Sequence, residues 1–312
     1  MVLARRGRWS VLAAALVLAM CGLLVACGTT RVVEGEARTQ SPMNPAEPPP
    51  VGADPFSVAV PGDCLAWPGQ APEMAHVVDC AEPHLFEIAE VVDLSGQFSA
   101  NAPPPRDVEI RNLSQQRCQP AIRRYLGAKY DPNSRFIASL LWQGERNWRE
   151  TGDRRVFCGL QEPGPDGREA TVVGRVADQD QSRTWPAGTC IGVDPATRLP
   201  TDVPADCAAP HAMEVTGTVD VGAQFSGPLP AQADQDAFIK DACIKATDAY
   251  LAPIARRETT LTIIYSTIQQ ESWDAGSRQV ACGLGAVSDA GWATLLNSAK
   301  GPLLIDGRPP AP

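Results

Sequence analysis

Asp79-Cys80-Ala81-Glu82-Pro83-His84-Leu85-Phe86-Glu87 and Asp206-Cys207-Ala208-Ala209-Pro210-His211-Ala212-Met213-Glu214 share the pattern Asp-Cys-x-x-Pro-His-x-x-Glu. The 312-residue chain holds only 3 histidines, so two of them at one motif position point to a duplication. The cysteines agree. Successive gaps are 16, 38 and 40 along Cys64, Cys80, Cys118 and Cys158, and 17, 36 and 39 along Cys190, Cys207, Cys243 and Cys282. Further out, Gln97-Phe98-Ser99 answers Gln224-Phe225-Ser226, and Tyr125-Leu126 answers Tyr250-Leu251. Trp148 leads into Gly152-Asp153-Arg154 and Cys158 as Trp273 leads into Gly276-Ser277-Arg278 and Cys282.

Inside each repeat the hydrophobic period changes. Phe86-Glu87-Ile88-Ala89-Glu90-Val91-Val92-Asp93 and residues 213–220 alternate and are rich in β-branched side chains, which predicts half-buried strands. Residues 105–126 and 231–251 carry apolar side chains at helical spacing, with Phe238, Ala242, Ala246 and Ala249 on the expected inner face. Segments 136–142 and 155–160, matched by 260–268 and 279–284, read as two closing strands. The order β, α, β, β predicts an α+β fold of two tandem small domains, each an antiparallel sheet with one packed helix, stabilised by disulfides. The boundaries are 57–163 for the first copy, 164–184 for a linker, 185–287 for the second copy and 288–312 for a tail whose end, after Lys300, is expected to fray.

The N-terminus sets the compartment. Arg5, Arg6 and Arg8 precede an uncharged apolar run, 11–25, which is too short for the ~20 apolar residues of a membrane span. The run closes on Leu24-Val25-Ala26-Cys27, the order of a lipobox, so 1–26 reads as a lipoprotein signal peptide and Cys27 as the lipidated first residue. Residues 27–56, with Pro48-Pro49-Pro50, read as an extended spacer. Losing three arginines leaves 24 basic residues against 36 acidic ones, a formal charge of −12. That surface excludes nucleic acid as a partner, which needs clustered Lys and Arg, and leaves the N-terminal lipid to hold the membrane. The chain is thus expected on the extracytoplasmic face of the cell membrane, lipid-anchored.

Of the ten cysteines Cys21 is expected to leave with the signal and Cys27 to carry the lipid; the eight that remain in an exported chain imply disulfides, and no pair of them has the Cys-x2-Cys or Cys-x4-Cys spacing of a zinc site. Four cysteines per repeat allow three connectivities. Cys64 and Cys80 flank a loop whose ends can pair as neighbouring strands, and Cys118 on the helix can face Cys158 on the last strand. The expected pairs are therefore Cys64–Cys80, Cys118–Cys158, Cys190–Cys207 and Cys243–Cys282.

The candidate functional surface comprises His84, Glu87, His211, Glu214, Trp148, Arg154, Trp273 and Arg278. His84 with Glu87 is the one pairing suited to general-base or metal chemistry. In an extended segment, however, residues three apart point to opposite faces unless a turn intervenes. A structural role is favoured, because no nucleophile accompanies the histidine and a catalytic site seldom needs two copies. The tryptophans and arginines are expected as packed rings beside salt-bridged guanidiniums. Nucleophile-elbow, zincin, phosphate-loop and Cys-x-x-Cys signatures are missing, so no enzyme activity, metal or cofactor is expected.

Gly62-Asp63-Cys64-Leu65, Val78-Asp79-Cys80 with Pro83-His84 and Glu87, then Trp148, Gly152-Asp153-Arg154 and Cys158 resemble the bacterial septum-formation domain, an extracytoplasmic module of membrane-anchored chains. The second copy departs at Gly188-Thr189-Cys190-Ile191 and Gly276-Ser277-Arg278. The resemblance implies a role near the division septum or cell envelope and no catalytic residue. The expected function is therefore a non-enzymatic binding module in division or envelope maintenance, its partner an envelope or division protein or wall material. The alternative is an envelope hydrolase or metal-dependent enzyme using the Cys-x3-His-x2-Glu segment.

Overall fold

A computed structural model describes residues 52, 54–164, 168–288 and 291–310. The signal peptide 1–26, Cys27 and most of the spacer 27–56 lie outside the described residues. The described part forms one compact unit with two principal sheets.

The alternating segments become the central strands. In the first repeat β1 (Cys64–Ala66), β2 (His76–Val78), β3 (Phe86–Asp93), β4 (Ile137–Trp142) and β5 (Arg155–Pro163) lie in the order β2-β1-β3-β5-β4, with β6 (Glu169–Ala170) paired to the end of β5. All pairs are antiparallel. In the second repeat β7 (Cys190–Val193), β8 (Pro200–Ala205), β9 (His211–Asp220), β10 (Thr262–Ile264) and β11 (Gln279–Gly285) repeat that layout, β8-β7-β9-β11-β10. A short hairpin, β12 (Val287–Ser288) with β13 (Gly291–Trp292), follows, and then β14 (Leu295–Leu296) and β15 (Leu304–Ile305). Gly159 lies where β5 meets β3 most closely: a Cβ there would come within 2.2 Å of the Phe86 ring, so no larger residue fits.

A single turn, α1 (Pro55–Val58), lays Phe56 on Phe157 with ring centroids 4.5 Å apart. The main helix of the first repeat runs as α2 (Asp107–Leu113), a π-turn at Ser114–Cys118, and α3 (Gln119–Leu126). Pro120 explains the break, since its ring crowds the preceding turn and it has no N–H to donate. After the short α5 (Val221–Gln224), the second repeat has an uninterrupted α6 (Gln232–Leu251). Its buried stripe is Gln235, Ile239, Cys243, Thr247 and Leu251; Phe238, Ala242 and Ala246 flank it and Ala249 is exposed, which corrects the expected inner face by part of a turn. Two further short helices carry the repeated tryptophans: α4 (Gly144–Thr151) holds Trp148 and α7 (Gln270–Ala275) holds Trp273.

Disulfides join Cys64 to Cys80, Cys118 to Cys158, Cys190 to Cys207 and Cys243 to Cys282. The first and third tie neighbouring strands or their ends; the second and fourth tie helix to sheet. Each contributes ~2–4 kcal/mol by restricting the unfolded chain.

Two expectations are corrected by the segments that follow each sheet. The join 164–184 is no free linker: Val172 and Val176 enter the core cluster with Ile122, Leu126, Phe136 and Leu160. Nor does the chain fray directly after Lys300: Leu303 joins Leu295 and Ala299 in the corresponding cluster with Leu251, Leu261 and Leu284, and Leu304 and Ile305 pair with β14. Burial of apolar side chains holds both segments down.

The last expected strand of the second repeat is shortened. β10 stops at Ile264 and pairs β11 only at Gly283, Leu284 and Gly285, whereas β4 accompanies β5 as far as Val156. A buried glutamine on α6 accounts for it: Gln235 accepts the Ile268 N–H at 3.0 Å and donates to the Ile268 carbonyl at 3.4 Å, while Tyr265 donates to Asp236. The chain is drawn off β11 toward the helix.

Candidate functional site

The His–Glu motif is buried in both repeats. His84 is 1% exposed and His211 0%; Glu87 and Glu214 are each 1% exposed. Local breaks bring each pair together. In the second repeat Met213 faces Ile191 but His211 faces Gly192, so Ala212 is the extra residue of a bulge, and it reverses which face His211 occupies relative to Glu214. In the first, His84 precedes β3, outside the regular ladder.

Each imidazole is held the same way. Nδ1 of His84 faces the Glu82 carbonyl and Nδ1 of His211 the Ala209 carbonyl, both at 2.9 Å, so Nδ1 carries the proton and donates. Nε2 of each histidine is buried with no protein partner. Each carboxylate is engaged. Glu87 accepts from the Tyr125 hydroxyl at 2.6 Å and the Val176 N–H at 2.7 Å. Glu214 accepts from the Tyr250 hydroxyl, from Ser298 Oγ at 2.8 Å and from the Ala299 N–H at 2.6 Å. Burial first, and then the carboxylate beside it, pushes the Tyr250 hydroxyl up to about 12 and raises Tyr125 further.

The motif is thus a receptor for a strap of the same chain. His84 exchanges both backbone hydrogen bonds with Val172, Cys80 O accepts from the Gly174 N–H at 2.7 Å, and Glu87 takes Val176. Leu295 pairs with His211, Cys207 O accepts from the Asn297 N–H at 2.7 Å, and Glu214 takes Ala299. Gly174 and Asn297 sit at matching points with φ of 86° and 66°, the left-handed region that glycine and asparagine tolerate best. The tyrosines are the residues that motif reasoning missed. Their fixed place, seven positions after Cys118 and Cys243, is the signal that marks them.

Burial lowers the His211 pKa, with the Ala209 carbonyl and Glu214 acting in the opposite direction. Below the ordinary histidine value of ~6.5 the unfolded chain takes up a proton that the folded chain refuses, so this stability is present above that pH and lost as pH falls. The urea midpoint is expected to fall between pH 7 and pH 5, and to fall less in His211→Gln. Parallel pH profiles for the two proteins would show that the imidazole does not contribute.

Trp148 and Arg154 meet, as do Trp273 and Arg278, but among the described residues the arginines are not salt-bridged as expected. The Arg154 guanidinium lies 4.1 Å over the Trp148 ring and donates to the carbonyls of Ser99, Ala100, Trp148 and Asp153. Arg278 lies 3.8 Å over Trp273 and donates to the carbonyls of Trp273 and Ser277. Trp148 Nε1 donates to Ala102 O and Trp273 Nε1 to Gly227 O. These pairs fasten the loop before the main helix to the sheet; they do not present a ligand-facing cation.

The repeats meet on polar contacts. Buried Asp131 of the first accepts from Ser272 Oγ at 2.8 Å and Ser277 Oγ at 2.5 Å of the second, and Asn133 donates to Ser272 Oγ. Asp180 and Ser182 accept the Arg278 and Gln279 N–H groups, and Arg183 pairs with Asp202 at 2.6 Å. Two clefts open there. One, of about 420 Å³, lies where β10 stops short and is lined by Trp185, Ile264, Tyr265 and Trp292 among others. The other, of about 490 Å³, runs between β5 and β8 past Ile137, Pro163 and Val203.

A family model described as septum formation matches residues 61–282. Two curated proteins of Mycobacterium tuberculosis, from strains CDC 1551 and H37Rv and each described as an uncharacterized membrane protein, are 54% identical over 262 residues. The match covers 82% of this chain and 58% of each relative, so the chain spans little more than half their length. No solved structure matches. Among the described residues no helix is long and apolar enough to cross a membrane.

Proposed function

The chain belongs to the septum-formation family, and from that premise we propose that it is a non-enzymatic binding module of the cell envelope, acting in division or envelope maintenance. The observation that carries the reading is the use made of the repeated polar residues. His84, Glu87, His211 and Glu214 hold straps, and Trp148, Arg154, Trp273 and Arg278 hold loops, whereas the clefts where the repeats meet stay open. Open, partly apolar concavities with a few polar groups are where partners bind. A segment of an envelope or division protein, or wall material, is the occupant expected, and Cys27, lipidated after loss of 1–26, supplies the anchor on the extracytoplasmic face.

Crosslinking in intact envelopes tests both parts. The wild-type chain is expected to recover a partner that Tyr265→Ala combined with Trp292→Ala loses, and deletion is expected to alter septum placement or cell length. Palmitate incorporation is expected to disappear in Cys27→Ser. No partner recovered together with unchanged division on deletion would end the binding reading, and unlabelled wild-type protein would end the anchor.

A further inference from the structure

Among the described residues, Cys64, His84 and Glu87 are the group that brings three metal-ligating atoms together: a sulphur, a ring nitrogen and a carboxylate oxygen all within 4.8 Å of one another, all three residues buried. Cys80 Sγ is bonded to Cys64 Sγ and so lies one S–S bond from that group. A second observation points to a ligand. His84 Nε2 is buried with no partner, while Nδ1 is locked as a donor to the Glu82 carbonyl. That is the arrangement of a metal-binding histidine, whose far N–H is fixed by a backbone carbonyl so that the other nitrogen presents its lone pair. Glu87 is likewise oriented by the Tyr125 hydroxyl and the Val176 N–H, and keeps lone pairs beyond those two bonds.

We propose that the first repeat is a redox-gated zinc site: reduction of the Cys64–Cys80 disulfide converts the cluster into a four-ligand set, Cys64, Cys80, His84 and Glu87. The reductant is a dithiol. It gives two electrons and two protons to the S–S bond and leaves as its own disulfide, and Cys64 and Cys80 become thiols. Zinc then displaces the two thiol protons to solvent and forms two bonds to sulphur, one to nitrogen and one to oxygen. Two sulphurs, one imidazole and one carboxylate suit tetrahedral zinc, whose ligand bonds of ~2.0–2.3 Å place the donor atoms about 3.5 Å apart. The cluster therefore contracts by about 1 Å once the S–S bond no longer fixes the sulphurs. The pairing of β1 with β2, which sets Cys64 opposite Val78 two residues before Cys80, keeps the two cysteines near each other, so zinc takes over the cross-link. Spacing did not reveal the set, because Cys64 and Cys80 are 16 positions apart and meet only through the strand pairing.

The test uses the purified chain, oxidised or reduced with a phosphine under argon, then given zinc chloride and desalted; bound metal is counted by atomic absorption. Near-UV circular dichroism of the same sample reports the fold. About one zinc per chain is expected after reduction and none before it. His84→Ala is expected to weaken binding about a hundredfold or more, and His211→Ala to leave it unchanged, because Glu214 is taken by three donors and, among the described residues, only the first repeat brings sulphur, nitrogen and oxygen together. Cobalt in place of zinc is expected to give sulphur-to-metal charge-transfer bands that Cys64→Ser diminishes. Zinc uptake indifferent to His84→Ala, no uptake by the reduced folded chain, or loss of the fold on reduction would each overturn the proposal. None of these outcomes bears on whether the junction clefts bind a partner.

Discussion

Glu214→Ala is expected to destabilise the protein by about 3–5 kcal/mol and to free the segment 295–305. The carboxylate is buried and serves three donors, the Tyr250 hydroxyl, Ser298 Oγ and the Ala299 N–H. Truncation strands all three, and a buried donor without an acceptor costs ~1–3 kcal/mol, less where water enters the space. Leu295, Ala299 and Leu303 then lose their tether to β9. Limited proteolysis should cut the variant within 295–305 under conditions that leave the wild type whole, with the urea midpoint lowered. Glu214→Gln keeps one acceptor oxygen and should fall between the two. A variant as resistant as wild type would mean that apolar burial alone holds the strap.

Trp148→Ala carries an effect of similar size from a different cause. The indole is 1% exposed and touches Phe98 edge-on at 5.5 Å and Trp142 at 5.8 Å between ring centroids. Emptying such a site costs about 3–5 kcal/mol in lost burial and residual cavity. Arg154 also loses the ring it lies on, and a cation 3% exposed then keeps only carbonyl partners. The denaturant midpoint should drop with little change in slope, and near-UV dichroism should lose intensity from the remaining tryptophans. A loss below about 1 kcal/mol would show that the loop collapses onto the vacated space.

Much of this architecture was legible because long-range order left local traces. Alternation over 86–93 marked β3, the paired cysteine spacings anticipated two sheets of the same strand order, and the family resemblance rested on residues that now lie around the first disulfide and the Trp148 loop. What stayed hidden has physical reasons. Helices α4 and α7 have 8 and 6 residues, too short to show a period. Besides their buried apolar side chains, the straps meet the sheet through one β-bridge, one cysteine carbonyl and one carboxylate apiece, and none of these requires a repeating pattern. The early end of β10 depends on one glutamine, Gln235, a full helix away in sequence. The arginines found backbone carbonyls instead of acids, and no side-chain pattern encodes a carbonyl.

The straps also change what counts as one copy. A fragment ending at residue 163, behind the last strand and the last cysteine of the first repeat, omits Val172, Gly174 and Val176, so Glu87 loses a donor and the face beneath Ile122, Leu126 and Leu160 lies open. A cloning boundary drawn at the cysteines therefore cuts through a folding unit. On a ribosome the first repeat completes its core only once its join has emerged. The second waits for residues that follow its final disulfide, so a premature stop just before Leu295 would yield a chain with all four disulfides of the repeats formed and an unfinished core.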